Sequence, residues 1–156
     1  MDRVTGFGYS ELIGAGYNLL PNNVKSKLEG VHFFTGVSPI YAGLFEDSKT
    51  FDGRSYNDCW CYVDRLNTIV MPNLHKHYPF YLRPLLIVHE LGHALDMMLD
   101  YRCTFTPVTE YAESNREESF AESFTLWCCP HYREYYSIIN ELSDEATYLF
   151  ESLDNR

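Results

Sequence analysis

The chain contains no long apolar run. A membrane-spanning helix needs about 20 consecutive, mostly apolar residues, and no segment of the 156-residue sequence approaches that length. The N-terminal segment also lacks the apolar core of a secretory signal peptide. We therefore expect no membrane partner and a cytoplasmic location, or a secreted or injected protein if a leader has been removed.

Positive charge is scarce. The sequence has 12 Lys and Arg residues against 22 Asp and Glu residues, giving a formal net charge of −10. Nucleic acids and anionic membranes are bound through basic surfaces, so this balance argues against both classes of partner. The five cysteines are an odd number and lack the spacing of a disulfide framework. This pattern is typical of free thiols in a reducing compartment.

The remaining composition is that of a globular domain. The chain is 46% hydrophobic and 16% aromatic, and its length suits one domain with a single core, spanning residues 1–156. Residues 31–38 and 59–72 are rich in β-branched and aromatic side chains, which predicts strands. A polar, turn-rich connection lies between them at residues 45–58.

Helices are predicted mainly in the second half of the chain. Pro84 fits the first turn of a helix that runs from Leu85 to about Asp100. A second helix follows Asn115 and stops near Pro130, and the tail over residues 132–153 has helical spacing of Tyr, Ile and Leu. Strands early and helices late, without alternation, predict an α+β fold.

Two shorter N-terminal segments complete the prediction. Residues 20–30 have the pattern of a short helix that ends at Gly30. The Gly-rich stretch before them, residues 6–16, invites comparison with a phosphate-binding loop. It follows no predicted strand and lacks the Lys-Ser/Thr ending of that motif, so we expect a simple loop there.

One helix carries polar residues near the centre of an apolar sequence. Residues 85–99, LLIVHELGHALDMML, include His89, Glu90 and His93 in an H-E-x-x-H pattern. Residues four apart lie on one face of a helix, so both histidines can present a ring nitrogen to one Zn²⁺ ion. Glu90 would lie beside the metal and accept a proton from its water. The alternative is that the histidines only form hydrogen bonds in the core.

A catalytic zinc site needs a third protein ligand. The metzincin pattern fails here, because Asp96 and Leu99 stand where it requires Gly and His. Glutamates of the second predicted helix are the candidates, since Glu118 and Glu122 share one helix face. Two carboxylates on one face repel each other unless a cation lies between them.

Other roles remain open for these acidic residues. Glu118 is the preferred ligand, ahead of Glu122 and then of Glu117 or Glu113. Glu118 also has the position of a capping-box residue that folds back on the helix cap. Asp96 lies seven residues after His89 on the ligand face, where it either orients a ligand or is solvated on the helix surface.

These residues resemble the zincin metallopeptidases of the anthrax lethal factor and Pro-Pro endopeptidase group. In that group H-E-x-x-H is followed by a pattern like Y-x-x-x-N-x-x-E-x-F-A-E-x-F. Residues 111–124, YAESNREESFAESF, fit this pattern. The resemblance covers about residues 85–127, whereas the N-terminal half matches only through a strand before the helix.

The resemblance implies a complete set of roles. It implies a single zincin-like metallopeptidase domain with a small N-terminal β-sheet, an active-site helix and a C-terminal helical part.

The implied zinc ligands are His89, His93 and Glu118, with Glu90 as general base. The Tyr111 hydroxyl would stabilise the oxyanion, and Glu122 would orient a ligand histidine. The strand at residues 67–72 would be an edge that pairs with an extended peptide.

The expected function is therefore that of a zinc-dependent endopeptidase with a protein or peptide substrate; the sequence leaves the oligomeric state open. One alternative is an ImmA-like intracellular regulatory protease, which also combines H-E-x-x-H with a downstream Glu. Another is a non-catalytic, zinc-stabilised interaction domain. Peptide deformylase is excluded because the chain lacks an E-G-C-x-S motif.

Overall fold

The computed structural model describes residues 8–36, 59–74 and 79–155. Within these ranges the chain forms five α-helices and a three-stranded sheet, which confirms the α+β class. None of the helices found there is long and apolar enough to cross a membrane. The connection predicted at residues 45–58 lies outside the described residues.

The first two helices are α1 (Tyr9–Tyr17) and α2 (Asn22–Leu28). The prediction of a helix in residues 20–30 is confirmed, but the prediction of a loop in the Gly-rich stretch is wrong. Gly16 of α1 lies against Ile87, and a Cβ atom at residue 16 would come within 2.3 Å of the Ile87 side chain. This glycine permits close helix packing and does not mark a loop.

The three strands are β1 (His32–Thr35), β2 (Cys61–Val63) and β3 (Thr68–Met71). The sheet order is β1-β3-β2, with β1 parallel and β2 antiparallel to β3. Between β2 and β3 the chain makes a short 3₁₀ turn and passes through Asn67 at φ 47°. The segment predicted as strand at residues 59–72 is thus a hairpin.

The sheet order corrects one expectation about substrate binding. β3 contains most of the segment expected to be an edge, but it is hydrogen-bonded to a strand on each side. Its backbone N–H and C=O groups are used within the sheet and are not available to a peptide. The reason is that β2 folds back on β3, a pairing that the apolar pattern of the sequence does not reveal.

Two long helices form the centre of the molecule, α3 (Arg83–Met98) and α4 (Arg116–Cys128). Pro84 lies in the first turn of α3, as predicted. The helices cross closely at Gly92, where a Cβ atom would lie 3.0 Å from the Cα atom of Ala121. Beside this crossing, Phe120, Phe124 and Phe150 form an edge-to-face aromatic cluster.

The turn after α3 has an unusual backbone. Asp100 and Tyr101 both have positive φ angles, 57° and 56°, a conformation that is unfavourable for residues with a side chain. The turn directs the Tyr101 hydroxyl to Asp64, to which it donates a hydrogen bond of 2.9 Å. The Arg116 guanidinium lies over the Tyr101 ring, 5.7 Å from its centroid.

The C-terminal part is helical over less of its length than predicted. After a 3₁₀ turn at Pro130–Glu134, helix α5 covers only Asp144–Asp154. The Ser143 hydroxyl caps α5 by accepting the Ala146 N–H. Upstream, the Ile139 N–H donates to the Val108 carbonyl. At Ile139, between the two helical segments, the backbone N–H is therefore bonded to another loop and not to a carbonyl of the same helix.

Candidate metal centre

Helix α3 places His89 and His93 one turn apart on the same face. Their rings are edge to face, with centroids 4.9 Å apart. The two side chains are 13% and 15% exposed, so both rings are largely shielded but not sealed from solvent. The apolar residues around them bury the opposite face of α3 in the core.

The first turn of α4 brings Glu118 to these rings. The side chain of the N-cap residue Asn115 accepts the Glu118 backbone N–H at 2.8 Å. The Glu118 carboxylate points away from the cap: Oε2 lies 3.0 Å from Nε2 of His89, and Oε1 lies 3.0 Å from Nε2 of His93. The capping alternative therefore applies to the backbone of Glu118 and not to its carboxylate.

The three side chains fit a metal ion. One ligand atom from each of His89, His93 and Glu118 lies within 4.8 Å of the other two. With metal–ligand bonds of about 2.0–2.1 Å, neighbouring ligand atoms of a tetrahedral site are about 3.3–3.4 Å apart. The observed 3.0 Å separations would need to widen by only a few tenths of an ångström. Two imidazoles and one carboxylate are also a donor set that transition metals accept.

A second carboxylate, that of Glu122, bonds to the opposite side of the His89 ring. Nδ1 of His89 lies 3.0 Å from Oε2 of Glu122. The Thr109 hydroxyl donates to Oε1 at 2.9 Å, and the Tyr132 hydroxyl donates to the same carboxylate, 3.0 and 2.9 Å from its two oxygens. Glu122 thus contacts His89 in the orientation expected of an outer partner, while Glu118 faces both histidines.

The pKa shifts follow this arrangement. Burial disfavours the ionised forms, but hydrogen bonds from His89 and His93 hold the pKa of Glu118 well below its usual range. The pKa of Glu122 is also lowered, because its bonds to His89, Thr109 and Tyr132 outweigh its burial. Between the two carboxylates, the pKa of His89 is raised despite burial. The site thus favours ionised carboxylates, which can act as ligands or as acceptors for a ligand's N–H group.

Glu90 and Tyr111 complete the predicted set. Glu90 is buried on α3 and lies close enough to Cys61 of β2 to contribute to its raised pKa, about 12, after burial itself. Tyr111 begins a 3₁₀ turn, Tyr111–Ser114, and its ring centroid is 5.9 Å from that of His89. The Thr109 hydroxyl accepts the Ala112 N–H at 3.1 Å and so bonds to this turn.

Asp96 lies outside this set of contacts. Its side chain is fully buried and its Oδ2 atom is 2.5 Å from the Arg116 guanidinium. Its Oδ1 atom has no hydrogen-bond partner within the described ranges. Asp96 is therefore not solvated on the helix surface. Burial raises its pKa overall, although the charge of His93 lowers it, and a role of Asp96 in orienting a ligand stays a prediction. Arg116 also bonds to the Cys103 carbonyl, so the pair fixes the start of α4 against the end of α3.

The remaining candidates lie away from the site. Glu113 and Glu117 are exposed, and Glu117 contacts Arg116 at 3.7 Å. His131 is on the surface, 3.3 Å from Glu134, whereas His75 and His77 lie outside the described residues. The five cysteines are free thiols, as predicted.

Sequence reasoning missed three contributors: Thr109, Arg116 and Tyr132. Thr109 and Tyr132 contact Glu122 from a loop and from a 3₁₀ turn, where side-chain periodicity carries no information. Arg116 could have been suspected, because it is a cation at the start of a helix whose neighbours are acidic. A cation at a helix N-terminus is unfavourable unless it has a specific partner.

Comparison with known proteins adds nothing to this geometry. No protein-family model, no curated protein and no solved structure matches the chain.

Proposed function

We propose that the protein is a zinc-dependent endopeptidase. The observation that carries the proposal is the position of the Glu118 carboxylate, whose two oxygens each lie 3.0 Å from Nε2 of a different H-E-x-x-H histidine. A surface ion pair would not need two imidazoles and a second carboxylate behind one of them. A metal ion explains why these groups converge.

Zinc is the metal that best suits this donor set. Catalytic zinc sites commonly have three protein ligands drawn from His and Glu, with one position left for water or substrate. Bound zinc would supply Lewis acidity, polarising a peptide carbonyl and lowering the pKa of water toward about 7. The partial exposure of both histidine rings leaves room for that fourth position.

The other residues then have distinct tasks. Glu90 accepts a proton from the attacking water and returns it to the leaving amine. The Tyr111 hydroxyl donates to the oxyanion that develops on the carbonyl oxygen. Glu122 accepts the Nδ1–H of His89, so that Nε2 is the nitrogen that would bind the metal. The substrate class is protein or peptide.

Matched variants test this proposal. We expect about one zinc ion per wild-type chain by elemental analysis, and hydrolysis of a random peptide library detected by mass spectrometry. Glu90→Gln should keep the zinc and lose hydrolysis, whereas Glu118→Gln should lose both. Glu117→Gln is the control, because it makes the same change at the exposed neighbouring position.

Each alternative gives a different result. Hydrolysis that survives Glu90→Gln would rule out the proposed mechanism. Zinc binding without hydrolysis of any peptide would identify a zinc-stabilised interaction domain. Loss of zinc in Glu122→Gln but not in Glu118→Gln would exchange the roles of these two carboxylates.

A further inference from the structure

The Glu122 carboxylate receives hydrogen bonds from three parts of the chain. Thr109 comes from the loop before the Tyr111 turn, Tyr132 from the 3₁₀ turn after α4, and His89 from α3. Glu122 and Tyr132 are 4% and 5% exposed, so water does not compete for these bonds. A buried carboxylate with this many donors is fixed in position.

The donor and the acceptor of each hydrogen bond can be assigned from the partners of each group. The Thr109 hydroxyl accepts the Ala112 N–H, so its own hydrogen is available for Oε1 of Glu122. The Tyr132 hydroxyl donates to the same carboxylate. An ionised carboxylate can only accept, so the remaining hydrogen bond is donated by Nδ1 of His89.

We propose that Thr109 and Tyr132 are positioning residues for the metal site. Together they hold the Glu122 carboxylate, which fixes the ring plane of His89 and keeps a proton on Nδ1, so that Nε2, the nitrogen that faces Glu118, is the one left to bind the metal. This inference rests on the proposed zinc site. It adds that two residues outside the H-E-x-x-H motif and the Tyr-to-Glu segment contribute to metal affinity.

Thr109 has a second effect, on the turn that begins with Tyr111. Through the Ala112 N–H it also holds the turn that begins with Tyr111. Replacement of Thr109 should therefore disturb both the His89 orientation and the Tyr111 position. Replacement of Tyr132 removes the bonds of its hydroxyl to the Glu122 carboxylate and should act mainly on His89, so the two variants are expected to differ in hydrolysis more than in zinc affinity.

Two substitutions remove the hydroxyls with little change of shape, and each has a matched control. Tyr132→Phe is compared with Tyr136→Phe, whose ring stacks on Tyr132 with centroids 4.4 Å apart. Thr109→Val is compared with Thr125→Val, at a fully buried threonine whose hydroxyl donates to the Ala121 carbonyl. Thr109→Ser retains the hydroxyl and should behave like the wild type.

Three readouts are used. Zinc affinity is measured by competition with a chelator, and the absorption bands of bound Co²⁺ report the ligand geometry. In the metal-free protein, NMR follows the low-field proton on Nδ1 of His89. We expect Tyr132→Phe and Thr109→Val each to weaken zinc binding about tenfold and to shift the NMR signal, with the controls unchanged.

The outcomes separate this inference from the proposed function. Unchanged affinity and an unchanged Nδ1–H signal in both variants would overturn the inference and leave the zinc site standing. Equal losses in the control variants would also overturn it, because they would indicate general loosening. A wild-type protein that binds no zinc would refute the proposed function and the claim about metal affinity, whereas NMR shifts in the two variants would still support the orientation of His89 by the two hydroxyls. The two hydroxyls lie on separate segments, so failure of one variant to fold leaves the other to decide.

Discussion

The close crossing of α3 and α4 makes Gly92→Ala a direct test of how the site is held together. A Cβ atom at residue 92 would lie 3.0 Å from the Cα atom of Ala121 and 3.2 Å from Cδ2 of Phe124. Carbon atoms pack at about 3.5–4.0 Å. The contact with Ala121 is to backbone and cannot be relieved by a rotamer change, so the helices must separate by about half an ångström.

The effect on stability should be modest. Overpacking of this kind costs about 1–3 kcal/mol, whereas alanine in place of glycine inside a helix regains about 1 kcal/mol. We expect the free energy of unfolding to fall by about 0–2 kcal/mol. Gly92→Ala should therefore yield a folded protein whose metal site can be measured.

The effect on zinc binding should be larger. Glu118 lies one helical turn before Ala121, while both histidines are on α3. Metal binding needs the 3.0 Å separations to widen by only a few tenths of an ångström, which side-chain rotation can supply. A rigid displacement of α4 by about half an ångström instead moves the whole Glu118 residue relative to both histidines, by more than the tolerance of about 0.2 Å in metal–ligand distances. We expect the affinity for zinc to fall on the order of tenfold, since misplacement by ~1 Å can cost ~100-fold in activity.

The assay combines urea unfolding of the metal-free protein with chelator competition. Gly14→Ala is the control, because residue 14 is also helical and a Cβ atom there would have nothing within 4 Å. It should stabilise the fold by up to about 1 kcal/mol and leave zinc affinity unchanged. Wild-type zinc affinity in Gly92→Ala would refute the idea that this crossing sets the ligand separation.

Three further predictions concern charge and backbone. Because the pKa of Glu118 is lowered in the folded state, its ionised form should stabilise the metal-free fold at pH values above its ordinary pKa of about 4.3, and progressively less as pH falls. In Glu118→Gln the free energy of unfolding should therefore decrease less steeply at acidic pH than in the wild type. Arg116→Met leaves Asp96 buried without its cation and should cost about 3 kcal/mol in urea unfolding; Asp96→Asn in the same chain should recover part of that loss. Glycine adopts a positive φ angle without strain, so Asp100→Gly should raise the free energy of unfolding by up to about 1 kcal/mol and the melting temperature with it. A lower melting temperature would show that the turn is not strained.

The sequence predicted the helical elements of the site well because their determinants are local. Pro84 lies in the first turn of α3 and Asn115 caps α4, and both effects act within one helical turn. The spacing of His89 and His93 places them together on any helix. Glu118 is preferred over Glu122 as the metal ligand, and it is the Glu118 carboxylate that contacts both histidines; ligation itself stays a prediction.

Features that depend on distant contacts were predicted less well. The central position of β3 depends on which strands pair with it. The sequence of a short apolar strand does not indicate whether the strand lies in the centre or at the edge of a sheet. The Gly-rich stretch that contains Gly16 was interpreted as a loop, whereas Gly16 lies in a helix and contacts Ile87, 71 positions further along the chain. Asp96 shares a helix face with His89, but its partner Arg116 comes from another helix.

The turn after α3 has a consequence for how the molecule opens under native conditions. Tyr101 connects this turn to Asp64 in the hairpin and lies under Arg116, the first residue of α4. Strained, surface-exposed segments are the first to unfold locally. When this turn opens, Arg116 loses one of its supports, and the amide protons at the start of α4 should exchange with solvent together with those of residues 99–102. Fluctuations at the far end of α3 would then govern how long Glu118 stays beside the histidines.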